Sequence, residues 1–158
     1  MPDFVLKSMY HAHVTSLLNY CNIIWSNTYS THLDPIIKLQ KRLIRLITNS
    51  DFLAHTQPLF QQLQILNIEN MRKYSLAIYF FKNSHSLLPS LQGRHHYGTR
   101  HRDRPRPVRH SKTIFQKSFV YQAPIIWNEL LDRANALISN SVNLKCFKRK
   151  LKQYFLQS

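Results

Sequence analysis

The chain has 158 residues, 44% of them hydrophobic, enough for one domain with a real core that needs neither disulfides nor metals. Its two cysteines, Cys21 and Cys146, stand far apart without pairing or ligand spacing, which argues against a disulfide framework or zinc knuckle and for a reducing, intracellular setting, nuclear or cytoplasmic. Charge is the informative quantity: 22 Lys plus Arg against 7 Asp plus Glu leave +15, which favours polyanions, nucleic acid ahead of an anionic membrane surface.

No signal peptide is read in MPDFVLKSMYHAH, and no apolar run approaches the ~20 residues that cross a bilayer, so a soluble protein without a transmembrane segment is expected. An amphipathic pattern begins at once, as in the end part of a larger protein. From Phe4 to Trp25 the apolar residues Leu6, Met9, Tyr10, Val14, Leu17, Leu18, Cys21, Ile24 and Trp25 recur at threes and fours, predicting one helix with Cys21 on its inner face. SNTYSTH is a loop ending near Thr31 as an N-cap, with Asp34 and Pro35 suited to the first turn that follows.

LDPIIKLQKRLIRLITNS predicts a strong helix. Ile36, Ile37, Gln40, Leu43, Ile44 and Ile47 share one side, and Lys38, Lys41, Arg42 and Arg45 lie mainly on the other. Those bases form either a solvated face or a phosphate-contacting one, and the overall charge favours the second. Asn49, Ser50 and Asp51 end the helix. Thr56 and Pro58 open a short helix carrying Leu59, Phe60, Leu63 and Leu66. A break near Asn67 leads to a buried helix with Met71, Tyr74, Ile78 and Phe81 in phase, widened by Leu76, Ala77 and Phe80, with His85 at its end and Pro89 and Gly93 beyond.

Residues 93–113 form a basic arm. Pro105 and Pro107 remove donors and fix φ, so RDRPRPVRH is expected to be extended, with its arginines splayed. Tyr97, Gly98 and Thr99 are expected to pair with IFQKSFVYQ, where Phe115, Lys117, Phe119 and Tyr121 alternate, as one short β-hairpin. Pro124 is expected to start a short helix containing Trp127 and Leu131. Ser139, Asn140 and Ser141 offer caps for a last helix whose apolar side is Leu144, Phe147, Leu151, Tyr154 and Phe155, set among Lys145, Lys148, Arg149, Lys150 and Lys152.

Catalytic chemistry is not apparent. The acids Asp3, Asp34, Asp51, Glu69, Asp103, Glu129 and Asp132 include no adjacent pair of the kind that holds divalent metal in polymerases and nucleases. With only Gly93 and Gly98 there is no glycine-rich phosphate loop. His11 and His13 point apart on a helix and lack further ligands, so no metal site is assigned. His95, His96, His101 and His110 supplement a cationic surface. Cys146 is read as a packing residue rather than a reactive thiol. Trp25, Phe80, Phe81, Trp127 and Phe155 are read as core, whereas Tyr97 and Tyr121 beside the arm are candidates for base stacking.

The succession LLNYCNIIWSNTY, HLDPIIKLQKRLIRLIT, AHTQPLFQQLQILNI, HHYGTR, FVYQAPIIWNELL and NLKCFKRKLKQYFL resembles, in order and over nearly the whole chain, the C-terminal part of non-LTR, LINE-type (jockey-like) retrotransposon reverse transcriptases. The resemblance covers the thumb and the region just beyond it. It implies a helical bundle that grips template–primer, with downstream segments binding element RNA or target DNA. Two departures stand out: Gly98 replaces the asparagine usual in the Tyr97–Arg100 word, and Thr15 stands where relatives often have proline. The family's Asp-Asp palm motif is absent from this sequence, so no polymerase activity of its own is expected.

The expected architecture is mainly α: a small helical bundle at 1–92, the Pro/Arg-rich arm at 93–113, and a C-terminal anchor at 114–158 packing on the bundle. The expected partners are RNA or DNA and upstream polymerase domains, with no cofactor, metal or small-molecule substrate. The nucleic-acid contacts are assigned to Lys38, Lys41, Arg42, Arg45, Arg94, Arg100, Arg102, Arg104, Arg106, Arg109, Lys112, Lys148 and Lys152, with stacking by Tyr97 and Tyr121. The alternative is a protein-interaction or anionic-membrane module in which the helix from Leu144 to Phe155 lies on lipid.

Overall fold

The computed structural model describes residues 3–83, 104–108, 112–139 and 143–157. It is mainly helical, and no strand occurs among the described residues. Two compact units divide the chain: Met1–Arg72 with Gln153–Ser158, and Lys73–Lys152. The expected boundary at residue 92 lies outside the described residues.

In the first unit, α1 (Asp3–Met9) runs into a π-helical turn, Tyr10–Thr15, and on into α2 (Ser16–Asn19). The single helix expected from Phe4 to Trp25 is therefore not formed. A π turn holds more residues per turn than an α turn, so apolar positions spaced for an α-helix fall out of phase beyond it. Tyr10 is buried, while Leu17 and Ile24 are 75% and 77% exposed. Cys21, expected in the core, is exposed. It takes a left-handed conformation at φ 49°, which ends α2 and starts α3 (Asn22–Trp25). The Trp25 indole N–H donates to the Tyr20 carbonyl at 2.8 Å and closes this turn.

The long helix α4 (Ser30–Ile47) starts slightly earlier than expected, with extended Tyr29 rather than Thr31 at its cap. Pro35 is thus inside the helix. Asn49 at φ 49° ends it, in the αL role that short polar side chains tolerate. Leu33, Gln40, Ile44 and Ile47 are its buried residues. Ile44 and Ile47 pack with Tyr10, Phe60, Leu63 and Ile65 in one core cluster, flanked by Leu6, Val14, Leu43 and Leu59. Phe60 and Leu63 come from α5 (Thr56–Leu63), whose cap is His55 instead of Thr56 and whose end is Gln64 in the left-handed region.

Gln40 is the polar residue of this core. Its Nε2 donates to the Tyr10 hydroxyl at 2.9 Å and to the Leu66 carbonyl at 3.1 Å, and its Oε1 accepts from the Ile68 N–H at 3.1 Å. One amide thereby holds α4, the π turn and the start of α6 (Ile68–Lys82). Burial raises the Tyr10 phenol pKa above its ordinary value, opposed by the Gln40 bond. Asn67 Oδ1 accepts from the Asn70 N–H at 2.7 Å and so caps α6 at the expected break. Asn70 Nδ2 donates in turn to the Phe155 carbonyl at 2.7 Å.

The second unit is built on aromatic packing. Along α6, Leu76, Ala77 and Phe80 are buried, whereas Tyr74, Ile78 and Phe81 of the expected stripe are half-buried. The Phe80 ring lies 5.0 Å from Trp127, and Phe81 stacks on Phe147 at 4.3 Å with only 13° between the rings. Trp127 belongs to α8 (Phe119–Ser139), which follows the short α7 (Thr113–Gln116). The expected strand through IFQKSFVYQ is overturned here: Ser118 accepts through its carbonyl from the Tyr121 and Gln122 N–H groups and opens a helix. Pro124 sits buried inside that helix rather than at its start.

The last helix, α9 (Leu144–Gln157), agrees with its predicted pattern: Phe147, Leu151 and Phe155 are buried. At its start Asn143 Oδ1 accepts from the Lys145 N–H at 3.3 Å; of the three expected cap residues, Ser139 ends α8, and Asn140 and Ser141 lie outside the described residues. His85, Pro89, Gly93 and Tyr97–Thr99 lie outside the described residues.

Replacing Gln40 by the similarly shaped Met should lower unfolding free energy by at least about 3 kcal/mol, because three buried groups lose their partner at about 1–3 kcal/mol for each group left unsatisfied. Urea denaturation measures it. Trp127→Ala should cost about 3–5 kcal/mol by emptying a packed aromatic site. A thermal melt indistinguishable from the parent would contradict the burial of that ring.

Candidate nucleic-acid interface

Helical phase turns Lys38, Lys41 and Arg42 outward on α4 once Gln40, Ile44 and Ile47 face the core. All three are exposed, and none forms an ion pair among the described residues. Leu39 and Leu46 lie among them at 59% and 67% exposure. Arg45 differs from its neighbours. It is half-buried, its Nε donates to the Ala54 carbonyl at 3.0 Å, and its guanidinium carbon lies 5.9 Å from the centre of the Phe52 ring. That side chain organises the 51–55 bend.

The other predicted bases belong to the second unit or lie outside the described residues. Arg104 pairs with Asp132 at 2.6 Å, and the next residue, Pro105, is fully buried with its carbonyl accepting from Asn128 Nδ2 at 2.9 Å. This part of the arm is not helical, as its prolines require, yet it is fastened to α8 rather than splayed. Arg106 and Lys112 are exposed. On α9, Lys148 is exposed and Lys152 half-buried. Lys145 and Arg149 are also exposed there and stand outside the predicted set, although α9 contains no acid and its helical phase places them on the surface. Tyr121 is half-buried on α8. Arg94, Tyr97, Arg100, Arg102 and Arg109 are not described.

Two carboxylates of the second unit are committed to cations: Glu129 lies 3.6 Å from Lys73 and 3.5 Å from Arg133, and Asp132 is held by Arg104. Among the described residues no group of three or more His, Cys, Asp or Glu could hold a metal ion. No helix is long and apolar enough to cross a membrane among those residues.

A pocket of about 310 Å³ opens beside the α4 bases. Its apolar side is formed by Ile37, Phe60 and Ile68, the last two buried. Polar side chains from the first turns of α5 and α6 join Lys41 around it: His55, Gln57, Asn67 and Glu69. Spacing along the chain does not announce this group, because the turns at Gln64 and Asn67 bring it together.

Compared with known proteins, the chain matches no family model, no curated protein and no solved structure.

Since the Arg104–Asp132 pair is partly solvated, Arg104→Ala should lower stability by less than about 1 kcal/mol, and Arg106→Ala should leave it unchanged. Paired chemical denaturation curves distinguish the two arginines.

Proposed function

We propose that this chain is a nucleic-acid-binding segment of a non-LTR retrotransposon reverse transcriptase, the thumb and the region after it, without catalysis of its own. It grips template–primer or element RNA through phosphate contacts, and the carboxylates of polymerisation belong to a palm in a longer product. Support comes from the ordered sequence words and, above all, from one observation: Lys38, Lys41 and Arg42 project from a helix whose opposite face is locked into the core, with no acidic partner among the described residues to neutralise them.

An ammonium or guanidinium without an ion-pair partner stays hydrated and attracts phosphate at little desolvation cost. A rigid helix spaces such groups regularly, so the contact is made without ordering the backbone on binding. Phosphate contacts of this kind give affinity without sequence preference. Lys145, Lys148 and Arg149 on α9 offer a second set of contacts of the same type.

Filter binding of the full chain to RNA and to duplex at several salt concentrations tests this reading. The logarithm of the association constant should fall steeply with the logarithm of salt. Substituting Lys38, Lys41 and Arg42 together by Ala should reduce that slope by roughly 2–3, at about 0.7–0.9 for each phosphate no longer neutralised, with the melting curve unchanged. A flat salt response in the parent chain would overturn the reading; an unaltered slope in the triple variant would remove α4 from the interface.

A further inference from the structure

The pocket beside α4 contains more chemistry than phosphate attraction uses. Its volume of about 310 Å³ stands at the lower end of the roughly 300–1,000 Å³ found for small-ligand sites, and it is much larger than a single oxyanion needs. Half-buried Ile37, backed by the buried Phe60 and Ile68, gives it an apolar wall, and Lys41 and Glu69 place opposite charges on its rim. Neither of those two side chains forms an ion pair among the described residues. A simple anion would satisfy Lys41 and be repelled by Glu69; a simple cation would do the reverse. A ligand that answers both presents an anionic group at one end, a flat apolar body, and N–H donors at the other end.

We propose that this pocket takes one nucleotide of a bound single strand, with its phosphate at Lys41, its base against the apolar wall at Ile37 and its donor edge at Glu69. The proposal rests on the nucleic-acid reading and deepens it. Guanine fits best, because its N1–H and exocyclic N2–H donors lie side by side and match both oxygens of one carboxylate. Uracil offers a single N–H between two carbonyl oxygens that Glu69 repels. Asn67 adds a donor, since its Oδ1 is engaged in capping α6 and its Nδ2 is left for the ligand. His55 and Gln57 complete a rim able to bond sugar or phosphate oxygens. Such a site confers a preference at one position on an interface that otherwise reads only backbone.

Calorimetric titration of the full chain with GMP, AMP, CMP, UMP and inorganic phosphate tests it. GMP should bind about tenfold or more tighter than UMP, as one bidentate base contact provides, and inorganic phosphate weakest. Glu69→Gln should abolish the preference for GMP, and Lys41→Ala should weaken all four nucleotides while leaving guanosine binding unchanged. Equal affinity for the four nucleotides, or a guanine preference that survives Glu69→Gln, overturns the proposal. Filter binding of the same preparation to polynucleotide separates the two levels: salt-sensitive polynucleotide binding without GMP binding sinks the pocket and spares the interface, and loss of both sinks both.

Discussion

A buried amide is expensive unless its hydrogen bonds are made, and Gln40 makes three with groups 26, 28 and 30 residues away along the chain. Apolar burial alone would hold α4 against its neighbours with some freedom of rotation and slide. The directional bonds to Tyr10, Leu66 and Ile68 remove that freedom, because each tolerates only small changes in angle and distance. Fixing Gln40 inward fixes the next residue, Lys41, at about 100° around the helix, and with it the phase of Lys38 and Arg42. The same bond to the Ile68 N–H sets the first turn of α6, from which Glu69 reaches the pocket. Core and surface are thus linked through a single side chain.

Much of this is legible in residue order. The 3.6-residue period places α4 and α9 and tells their buried from their exposed sides, and it puts Gln40 with the apolar residues, where the structure finds it. It fails where neighbouring segments change the local choice. IFQKSFVYQ alternates like a strand, but aromatic and apolar residues spaced two apart also occur in helices, and tertiary packing decides for α7 and α8. Proline is most at home at a helix start, which is where Pro124 is expected, yet a long helix absorbs one lost hydrogen bond when its ring is buried.

The candidate site divides in the same way. Exposure of Lys38, Lys41 and Arg42 follows from phase alone. Engagement of Arg45 with Ala54 and of Arg104 with Asp132 does not, because each depends on a partner that no periodicity places. Both are arginines, whose planar forked donors suit fixed acceptors better than a lysine does. Counting positive residues therefore overstates the surface available to a polyanion, and sorting them by partner corrects it. The pocket is illegible in the sequence for a related reason: His55, Gln57 and Glu69 converge through turns at Gln64 and Asn67, not through a motif.

The π-helical turn at Tyr10–Thr15 has a consequence for how this chain tolerates changes in length. A π turn is the usual trace of one residue inserted into an α-helix, and removing one restores the regular repeat. The six residues of that stretch turn through about the same angle as five residues of regular α-helix at about 100° each. A single-residue deletion after Tyr10 within the turn would therefore leave a more regular helix whose two ends keep nearly the same relative orientation, with Tyr10 still facing Gln40. The irregularity in the first helix gives this segment room to lose one residue without taking a partner from the amide that positions α4.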